Sequence, residues 1–283
     1  RVSNEASGTT NITNSEIAYL GYSCSRCSGI SYYGGIGSIV KGNNIHHLLK
    51  GFYSKGMGSM IVENNTIHDN YLYGIDPHTG THDMIIRNNK VYGNNASAII
   101  CSKHCYNILF EGNEVYKNGG DNRGIALSIN TTHSIARNNY VHDQLSCIGS
   151  NSASNFNTIE DNVFSNCKVA VNLADTSKNI INNNKIIGGQ VAIVLRDTTN
   201  KILHNKIENT TNGIVLLSSS NAKEVNSDND KETKQVNSAA FLNRMNVVNE
   251  MTGVKNPVVV NDTHSAGEND TQNSKFHATT GQN

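Results

Sequence analysis

Residues 85–115 read IIRNNKVYGNNASAIICSKHCYNILFEGNEV and contain one pattern twice. Asn89-x-Val91 is followed 24 residues later by Asn113-x-Val115, and a short apolar pair (Ile85-Ile86 or Ile108-Leu109) stands just upstream of each. The same marker recurs along the chain at Asn43-x-Ile45, Asn65-x-Ile67, Asn139-x-Val141, Asp161-x-Val163, Asn184-x-Ile186 and Asn205-x-Ile207. A pattern that returns at a nearly constant interval indicates a repeat architecture.

A second marker, a small residue followed by a β-branched or aromatic one, keeps the same interval. It occurs with steps of 21 to 26 residues at Gly29-Ile30, Gly51-Phe52, Gly74-Ile75, Ala98-Ile99, Gly124-Ile125, Cys147-Ile148, Ala170-Val171, Ala192-Ile193 and Gly213-Ile214. Each repeat holds three short strand-like segments separated by polar corners, without the apolar period of a helix. The pattern predicts an all-β fold, a right-handed parallel β-helix of about nine coils of 21–26 residues. Stacked coils would align the marker asparagines in a ladder of side-chain amides.

The repeat is lost after about Leu217, which predicts a β-helix domain over residues 1–221. Residues 222–283 are polar and predict a C-terminal cap followed by a partly disordered tail. The cap is expected to use Val247, Val248 and 258–260. The chain opens on Arg1 without a recognisable leader, so we expect it to be a trimmed piece of a longer protein.

Composition excludes several classes of protein. The 283 residues include 23 basic and 23 acidic side chains, no Trp and 2 Pro, and 36 % are hydrophobic. Helical bundles and doubly wound α/β folds need broader apolar faces. A nucleic-acid binder would show a basic excess, and a membrane protein would contain an apolar run of about 20 residues. We therefore predict a monomer that neither binds nucleic acid nor inserts into a membrane.

The repeat places polar, titratable residues on one outer face. Strand alternation sends the second and fourth residues after the small one outward. Lys55 and His78 then lie one coil apart in one column, with Tyr53 and Asp76 side by side in the next. The same face of neighbouring coils carries Lys50, Tyr73, Ser102, Lys103, His104 and Arg123.

These residue types suit abstraction of the C5 proton of a uronate in an extended polymer. Lys55 and Lys103 could neutralise the substrate carboxylate, and His78 and Tyr73 could serve as base and acid. Asp76 could orient the imidazole or fix a neighbouring cation. Further substrate contacts are expected from Tyr53, Lys50, Ser102, His104 and Arg123. Reprotonation from the opposite face would invert C5, and loss of the 4-O substituent would cleave the chain.

The segment Tyr73-Gly74-Ile75-Asp76-Pro77-His78 resembles the Tyr-Gly-[Ile/Phe]-Asp-Pro-His signature of mannuronan C5-epimerases, which are alginate-modifying β-helix enzymes. The resemblance covers roughly residues 15–215. It implies that His78 and Tyr73 form the acid/base pair, that Asp76 is a site carboxylate, and that an adjacent coil supplies a cation. The next coil reads Ser97-Ala98-Ile99-Ile100-Cys101-Ser102-Lys103, where bacterial periplasmic members read like His-Gly-Ile-Ile-x-Ser-Arg. Lys103 keeps the positive charge but not the bidentate geometry of Arg.

The leading prediction is a mannuronan C5-epimerase acting on alginate or polymannuronate. An alginate lyase using the same site and a non-catalytic polysaccharide-binding β-helix remain alternatives. An acidic polysaccharide substrate implies an extracellular or periplasmic location.

No cofactor and no metal site are predicted, and calcium is not supported because no Asp-rich nonapeptide repeats follow the site. Cys24 and Cys27 are either a local disulfide or two free thiols. Cys101 and Cys147 are predicted to lie in the core, and His46, His47 and His104 are read as corner residues.

Overall fold

The structure, a computed structural model, describes residues 2–5, 8–22, 27–119, 123–196, 199–218 and 248–262. Every regular element in these ranges is a β-strand, and the strands are numbered in chain order. The predictions that concern Cys24, Val247 and the tail beyond residue 262 lie outside the described residues. The division at residue 221 stays a prediction.

Eleven of the described strands form one parallel sheet, sheet A. They are β1 (Val2–Glu5), β4 (Gly29–Tyr33), β7 (Lys50–Lys55), β10 (Ile75–His78), β13 (Ile99–Ser102), β16 (Arg123–Ser128), β19 (Ser146–Ser150), β22 (Val169–Ala174), β25 (Val191–Arg196), β27 (Asn212–Ser218) and β29 (Asn256–Asp262). Nine of these strands correspond to the nine small-residue markers, and β1 and β29 add one strand at each end.

The other 18 described strands form sheet B, which consists of two adjoining parallel ladders. The first contains β2 (Ile12–Thr13), β5 (Ile39–Lys41), β8 (Ile61–Glu63), β11 (Ile85–Arg87), β14 (Leu109–Glu111), β17 (Ile135–Arg137), β20 (Thr158–Glu160) and β23 (Ser177–Asn182). The second contains β3 (Glu16–Ala18), β6 (Asn44–His46), β9 (Thr66–His68), β12 (Lys90–Tyr92), β15 (Glu114–Tyr116), β18 (Tyr140–His142), β21 (Val163–Ser165), β24 (Lys185–Ile187) and β28 (Val248–Thr252). The long strand β26 (Thr199–Glu208) pairs with both ladders. The predicted parallel β-helix is confirmed.

Apolar side chains from all three ladders fill the interior. Phe52, Ile75 and Ile99 are paired in neighbouring strands of sheet A, and each is fully buried. Val91 and Phe110 close the core from sheet B. Each strand hydrogen-bonds to its copies above and below, so one coil cannot shift without its neighbours. This register fixes which outward side chains meet.

A buried ladder of amides runs along one corner, as the sequence predicts. The side-chain nitrogen of each residue donates to the side-chain oxygen of the next at 2.8 to 3.0 Å through Asn43, Asn65, Asn89, Asn113, Asn139, Asn162, Asn184 and Asn205. The sequence marker had placed Asp161 in this series. The register instead pairs Val141 with Phe164, which puts Asn162 in the ladder and leaves Asp161 exposed.

A further register correction concerns the apolar pair upstream of the marker. The structure pairs Ile85 with Leu109 and Ile86 with Phe110, so the copy of Ile85-Ile86 is Leu109-Phe110 and not Ile108-Leu109. Ile108 is nevertheless buried.

Residues 248–262 continue the solenoid. β28 pairs with β26, and β29 pairs with β27, in both cases parallel. Asn256 donates to Asn212 at 2.8 Å across a sequence separation of 44 residues. The coil therefore closes in register after a much longer excursion of the chain than in the other repeats.

The described cysteines comprise disulfide-bonded and free residues. Cys147 is buried, as predicted, and forms a disulfide with Cys167 that the sequence analysis did not foresee. Cys27 is disulfide-bonded. Cys101 and Cys105 are buried and free.

Candidate active site

Three consecutive strands of sheet A, β7, β10 and β13, carry most of the polar side chains singled out in the sequence. The register pairs Asp76 with Tyr53 and His78 with Lys55. It also pairs His78 with Ser102 on the following coil. Because side chains alternate between the two faces of a strand, these residues share the outer face of sheet A, and the residues between them fill the core.

These outward side chains, with Lys50 and Tyr73, form a cluster, and the ammonium group of Lys50 lies at its centre. Its Nζ is 2.6 Å from Oδ2 of Asp76, and the two side chains are 16 % and 2 % exposed. The same Nζ lies 4.5 Å from the ring centroid of Tyr53 and 5.4 Å from that of Tyr73. A carboxylate and two aromatic rings thus hold one cation. Lys50 is predicted from the sequence only as a substrate contact.

Asp76 is buried, although its register position faces outward. Burial raises the pKa of its carboxyl group, and the charges of Lys50 and Lys103 act in the opposite direction. Within the described part of the chain, Oδ1 of Asp76 is buried and accepts no hydrogen bond. Of the two roles considered for this carboxylate, the contacts favour the fixing of a neighbouring cation.

His78 is half-buried and poised as a neutral imidazole. Its Nδ1 lies 2.6 Å from Oγ1 of Thr79. Burial and three nearby ammonium groups lower the pKa of His78 from 6.5 to about 4. In decreasing order of effect, these groups belong to Lys50, Lys103 and Lys55. At neutral pH the ring therefore carries no charge and has a nitrogen able to accept a proton.

Tyr53 forms an aromatic row with residues on the coils before and after it. Its ring centroid lies 5.7 Å from that of Tyr33 and 5.7 Å from that of His78. Burial, followed by the charge of Asp76, raises the pKa of Tyr53 to about 12, so the phenol keeps its proton.

The remaining members of the cluster surround this row. Tyr73 is half-buried immediately before β10, with its ring toward Lys50. Lys55 is exposed beside His78. Lys103 is exposed in the corner after β13, where its φ is 62°, and its charge acts on both Asp76 and His78. The structure thus brings together five residues predicted as catalytic: Tyr73, Asp76, His78, Lys55 and Lys103.

Three predicted substrate contacts are placed differently. Ser102 is almost fully buried beside His78. His104 is exposed in the corner, and none of the contacts found among the described residues joins it to the cluster. The guanidinium of Arg123 lies two coils beyond β10, 2.9 Å from the side-chain amide of Asn151.

Two residues that the sequence analysis did not select belong to the site by geometry. Thr79 contacts the imidazole of His78, and Tyr33 extends the aromatic row. Tyr33 occupies the same column as Lys55 and His78, so the repeat alone could have identified it. Thr79 could have been found only as the immediate neighbour of His78.

Two family models match parts of the chain. The model described as a right-handed β-helix region matches residues 2–141, and the model described as a periplasmic copper-binding protein (NosD) matches residues 147–238. No curated protein sequence matches the chain. Across the described residues, no three His, Cys, Asp or Glu side chains are grouped so that they could hold a metal ion. The described residues therefore do not fit a copper centre.

Solved structures with the same architecture come from proteins of different activities. The periplasmic alginate epimerase AlgG is 19 % identical, with a TM-score of 0.61 over 91 % of this chain and 61 % of its own. The Agl-KA catalytic domain is 13 % identical, with a TM-score of 0.58 over 90 % of this chain and 53 % of its own. PfbA, a surface adhesin of Streptococcus pneumoniae, is 16 % identical, with a TM-score of 0.61 over 81 % of this chain and 66 % of its own.

This chain spans about three fifths of the length of AlgG. At these identities the likeness establishes the fold alone. In the described part of the chain no helix is long and apolar enough to cross a membrane. The family model and the strand register together establish that the chain folds as a right-handed parallel β-helix.

Proposed function

We propose that this protein is a carbohydrate-active enzyme that abstracts the C5 proton of mannuronate in alginate and returns a proton from the opposite face, as a mannuronan C5-epimerase does. The observation that carries the proposal is a cluster on one outer face of sheet A. It contains the neutral imidazole of His78, the protonated phenol of Tyr53 and the ammonium groups of Lys50, Lys55 and Lys103. The resemblance of residues 73–78 to the epimerase signature and the shared fold with AlgG support it.

The proposed chemistry starts with charge neutralisation. A uronate carboxylate above the cluster would approach the ammonium groups of Lys50, Lys55 and Lys103, which lowers the cost of forming a carbanion at C5. His78 would accept the C5 proton, because its depressed pKa keeps it neutral. Tyr73 would donate a proton to the opposite face of the sugar. The C5–H bond breaks and re-forms with inverted configuration, and proton exchange with water then returns His78 to its neutral form and Tyr73 to its phenol, so no redox partner is needed.

A polymeric acidic substrate implies that the protein works outside the cytoplasm, in the periplasm or beyond the cell. The Cys147–Cys167 disulfide supports such an oxidising compartment. The descriptions of the NosD model, of AlgG and of the PfbA adhesin point in the same direction.

The decisive experiment is incubation of the protein with polymannuronate in deuterated water. An epimerase introduces deuterium at C5 and guluronate signals without cutting the chain. New ultraviolet absorbance from a chain-end double bond would instead indicate a lyase, in which the carbanion expels the 4-O substituent. Retained binding with neither product would indicate a non-catalytic binding module and would refute the proposed activity.

The variant His78→Ala is expected to lower kcat by at least roughly 100-fold, because the proton acceptor is lost. The measurement is turnover on polymannuronate, with circular dichroism as a check on folding. His82→Ala is the matched control, since His82 lies on the same coil and its ring stacks on Tyr106 outside the cluster. Undiminished activity of folded His78→Ala would refute the assignment of the base.

A further inference from the structure

Two free thiols lie on the inner side of the coil that carries Ser102 and Lys103. Cys101 is the third residue of β13, and Cys105 follows the corner four positions later. Both side chains are fully buried, and both are free. The proposed chemistry uses neither of them.

The neighbouring coils show what the corner position of Cys105 normally does. The register aligns Cys105 with Thr81 on the coil before and Thr131 on the coil after. Each of these threonines donates its hydroxyl to the carbonyl three residues earlier at 2.9 Å, to His78 and to Ser128 respectively. Cys105 makes the same bond to Ser102 through its sulfur at 3.2 Å. A thiol is a weaker donor than a hydroxyl, so this corner is held less firmly than the adjacent ones.

The inner columns to which Cys101 and Cys105 belong face each other. Ser54, in the column of Cys101, lies 3.2 Å from Thr81 of the following coil, in the column of Cys105, measured between their hydroxyl oxygens. Within the coil that carries both cysteines, burial and a hydrogen bond with the Cys105 thiol raise the pKa of the Cys101 thiol, so the two thiols lie in contact.

We propose that Cys101 and Cys105 are a dithiol that closes to a disulfide on the inner side of the coil that carries Ser102 and Lys103. Closure proceeds while the chain folds, before the two thiols are buried, by exchange with a low-molecular-weight disulfide such as glutathione disulfide. One cysteine sulfur attacks it and releases one glutathione thiol, and the second cysteine sulfur displaces the other. The dithiol loses two electrons and two protons, and the small disulfide gains them. The chain already carries oxidised cysteines at Cys147 and Cys167, so it folds where such exchange takes place.

The crosslink would clamp the corner formed by Ser102, Lys103 and His104. The last two residues are non-glycine residues in the left-handed region, with φ of 62° and 64°. The charge of Lys103 acts on both Asp76 and His78, so the position of this corner sets part of the electrostatic field of the cluster. The inference concerns the redox state of the chain and does not rest on the proposed function.

The first test is a redox titration of the intact protein. The full chain is unfolded and refolded in glutathione buffers of increasing oxidised fraction, quenched with acid, and alkylated in denaturant before peptide mapping. We expect Cys101 and Cys105 to pass from fully alkylated to joined in one disulfide-linked peptide, while the Cys147–Cys167 bond persists. Full alkylation of both in the most oxidising buffer would overturn the proposal.

The second test separates redox chemistry from the packing of the corner. Cys105→Thr restores the hydroxyl found at this corner in the adjacent coils and removes the thiol. The pKa of His78, measured by NMR, is expected to differ between wild-type protein refolded in reducing and in oxidising glutathione buffer. For Cys105→Thr the pKa of His78 is expected to be the same in the two buffers. An equal redox-dependent shift in Cys105→Thr, or no shift in the oxidised wild type, would overturn the proposed effect on the cluster.

Discussion

Lys50 shows how one side chain can organise a site that the sequence presents as scattered residues. Its ammonium group binds the buried carboxylate of Asp76 and lies against the rings of Tyr53 and Tyr73. The long apolar stem lets the charge reach from one coil to the next, which a register argument based on Cα positions does not capture. The column containing Lys55 and His78 could be predicted because it depends only on counting residues within the repeat.

The burial of Asp76 could not be predicted from alternation. Its position points away from the core, and outward positions in a strand are normally solvated. The Lys50 ammonium and neighbouring aromatic rings cover it here. Such cover depends on side-chain rotamers, about which the periodicity of the sequence carries no information.

The pKa of His78 can be tested directly. Titration of the imidazole by NMR should give a value near 4, and Lys103→Gln should raise it toward 6.5, because a nearby positive charge is removed. As the pH falls from 6.5 to about 4, His78 becomes protonated in the unfolded chain but stays neutral in the folded chain. This group therefore makes stability fall with decreasing pH across that window.

A matched control for this titration is Lys185→Gln, which removes a lysine from sheet B. It should leave the pKa of His78 unchanged, because Lys185 is not among the charges that act on His78. An equal pKa in wild type and Lys103→Gln would contradict the electrostatic account.

The role of Lys50 makes a second prediction at the residue scale. Lys50→Met should lower turnover on polymannuronate by roughly 100-fold and lower the melting temperature, because Asp76 is left buried without its counter-ion. Lys55→Met removes an exposed ammonium from the same face and should cost less in both measurements. Equal losses in the two variants would argue against a special role for Lys50.

The repeated coil owes much of its regularity to the amide ladder. Each buried side-chain amide both donates to a neighbouring oxygen and accepts from the preceding coil, which an aspartate cannot do because an ionised carboxylate has no donor. This explains why Asn162 occupies the ladder and Asp161 does not. The marker was misplaced in the sequence because Val163 and Phe164 are both apolar, so hydrophobicity alone left the register ambiguous by one residue.

Removal of one rung should be costly. Asn89→Ala is expected to lower the free energy of unfolding by about 2 to 3 kcal/mol, because several buried donors and acceptors of the adjacent coils lose their partner. The measurement is the midpoint of urea unfolding. Asn95→Ala serves as the control, since Asn95 is exposed and outside the ladder. A loss no larger than that of the control would show that the ladder contributes little.

The whole molecule is electrically balanced, yet its charges are unevenly arranged. The net charge is zero, and among the residues that the structure describes the cluster brings Lys50, Lys55 and Lys103 together with the buried Asp76. The net charge argues against nucleic acid as a partner, but it does not reveal a local field, because that field depends on which coils stack. The cluster is therefore expected to attract a polyanion although the protein as a whole does not.

Ionic strength provides the corresponding test. The apparent KM for polymannuronate should rise several-fold as salt increases from roughly 0.05 to 0.3 M, because exposed charges are screened over about 10 Å or less. Lys103→Gln should weaken this dependence, and Lys178→Gln, which removes a cation that lies over Phe156 away from the cluster, should not. A KM that is independent of salt would contradict the proposed electrostatic capture.

The long connection that precedes β28 has a practical consequence. Asn212 and Asn256 meet in register although 44 residues separate them, whereas the paired strands of the other described coils lie about 21 to 28 residues apart. The scaffold thus tolerates extra chain at one point of its circumference and regains alignment afterwards. Replacing residues 219–247 with a fluorescent or affinity module offers a route to a labelled protein in which the cluster around Lys50 and His78 keeps its geometry.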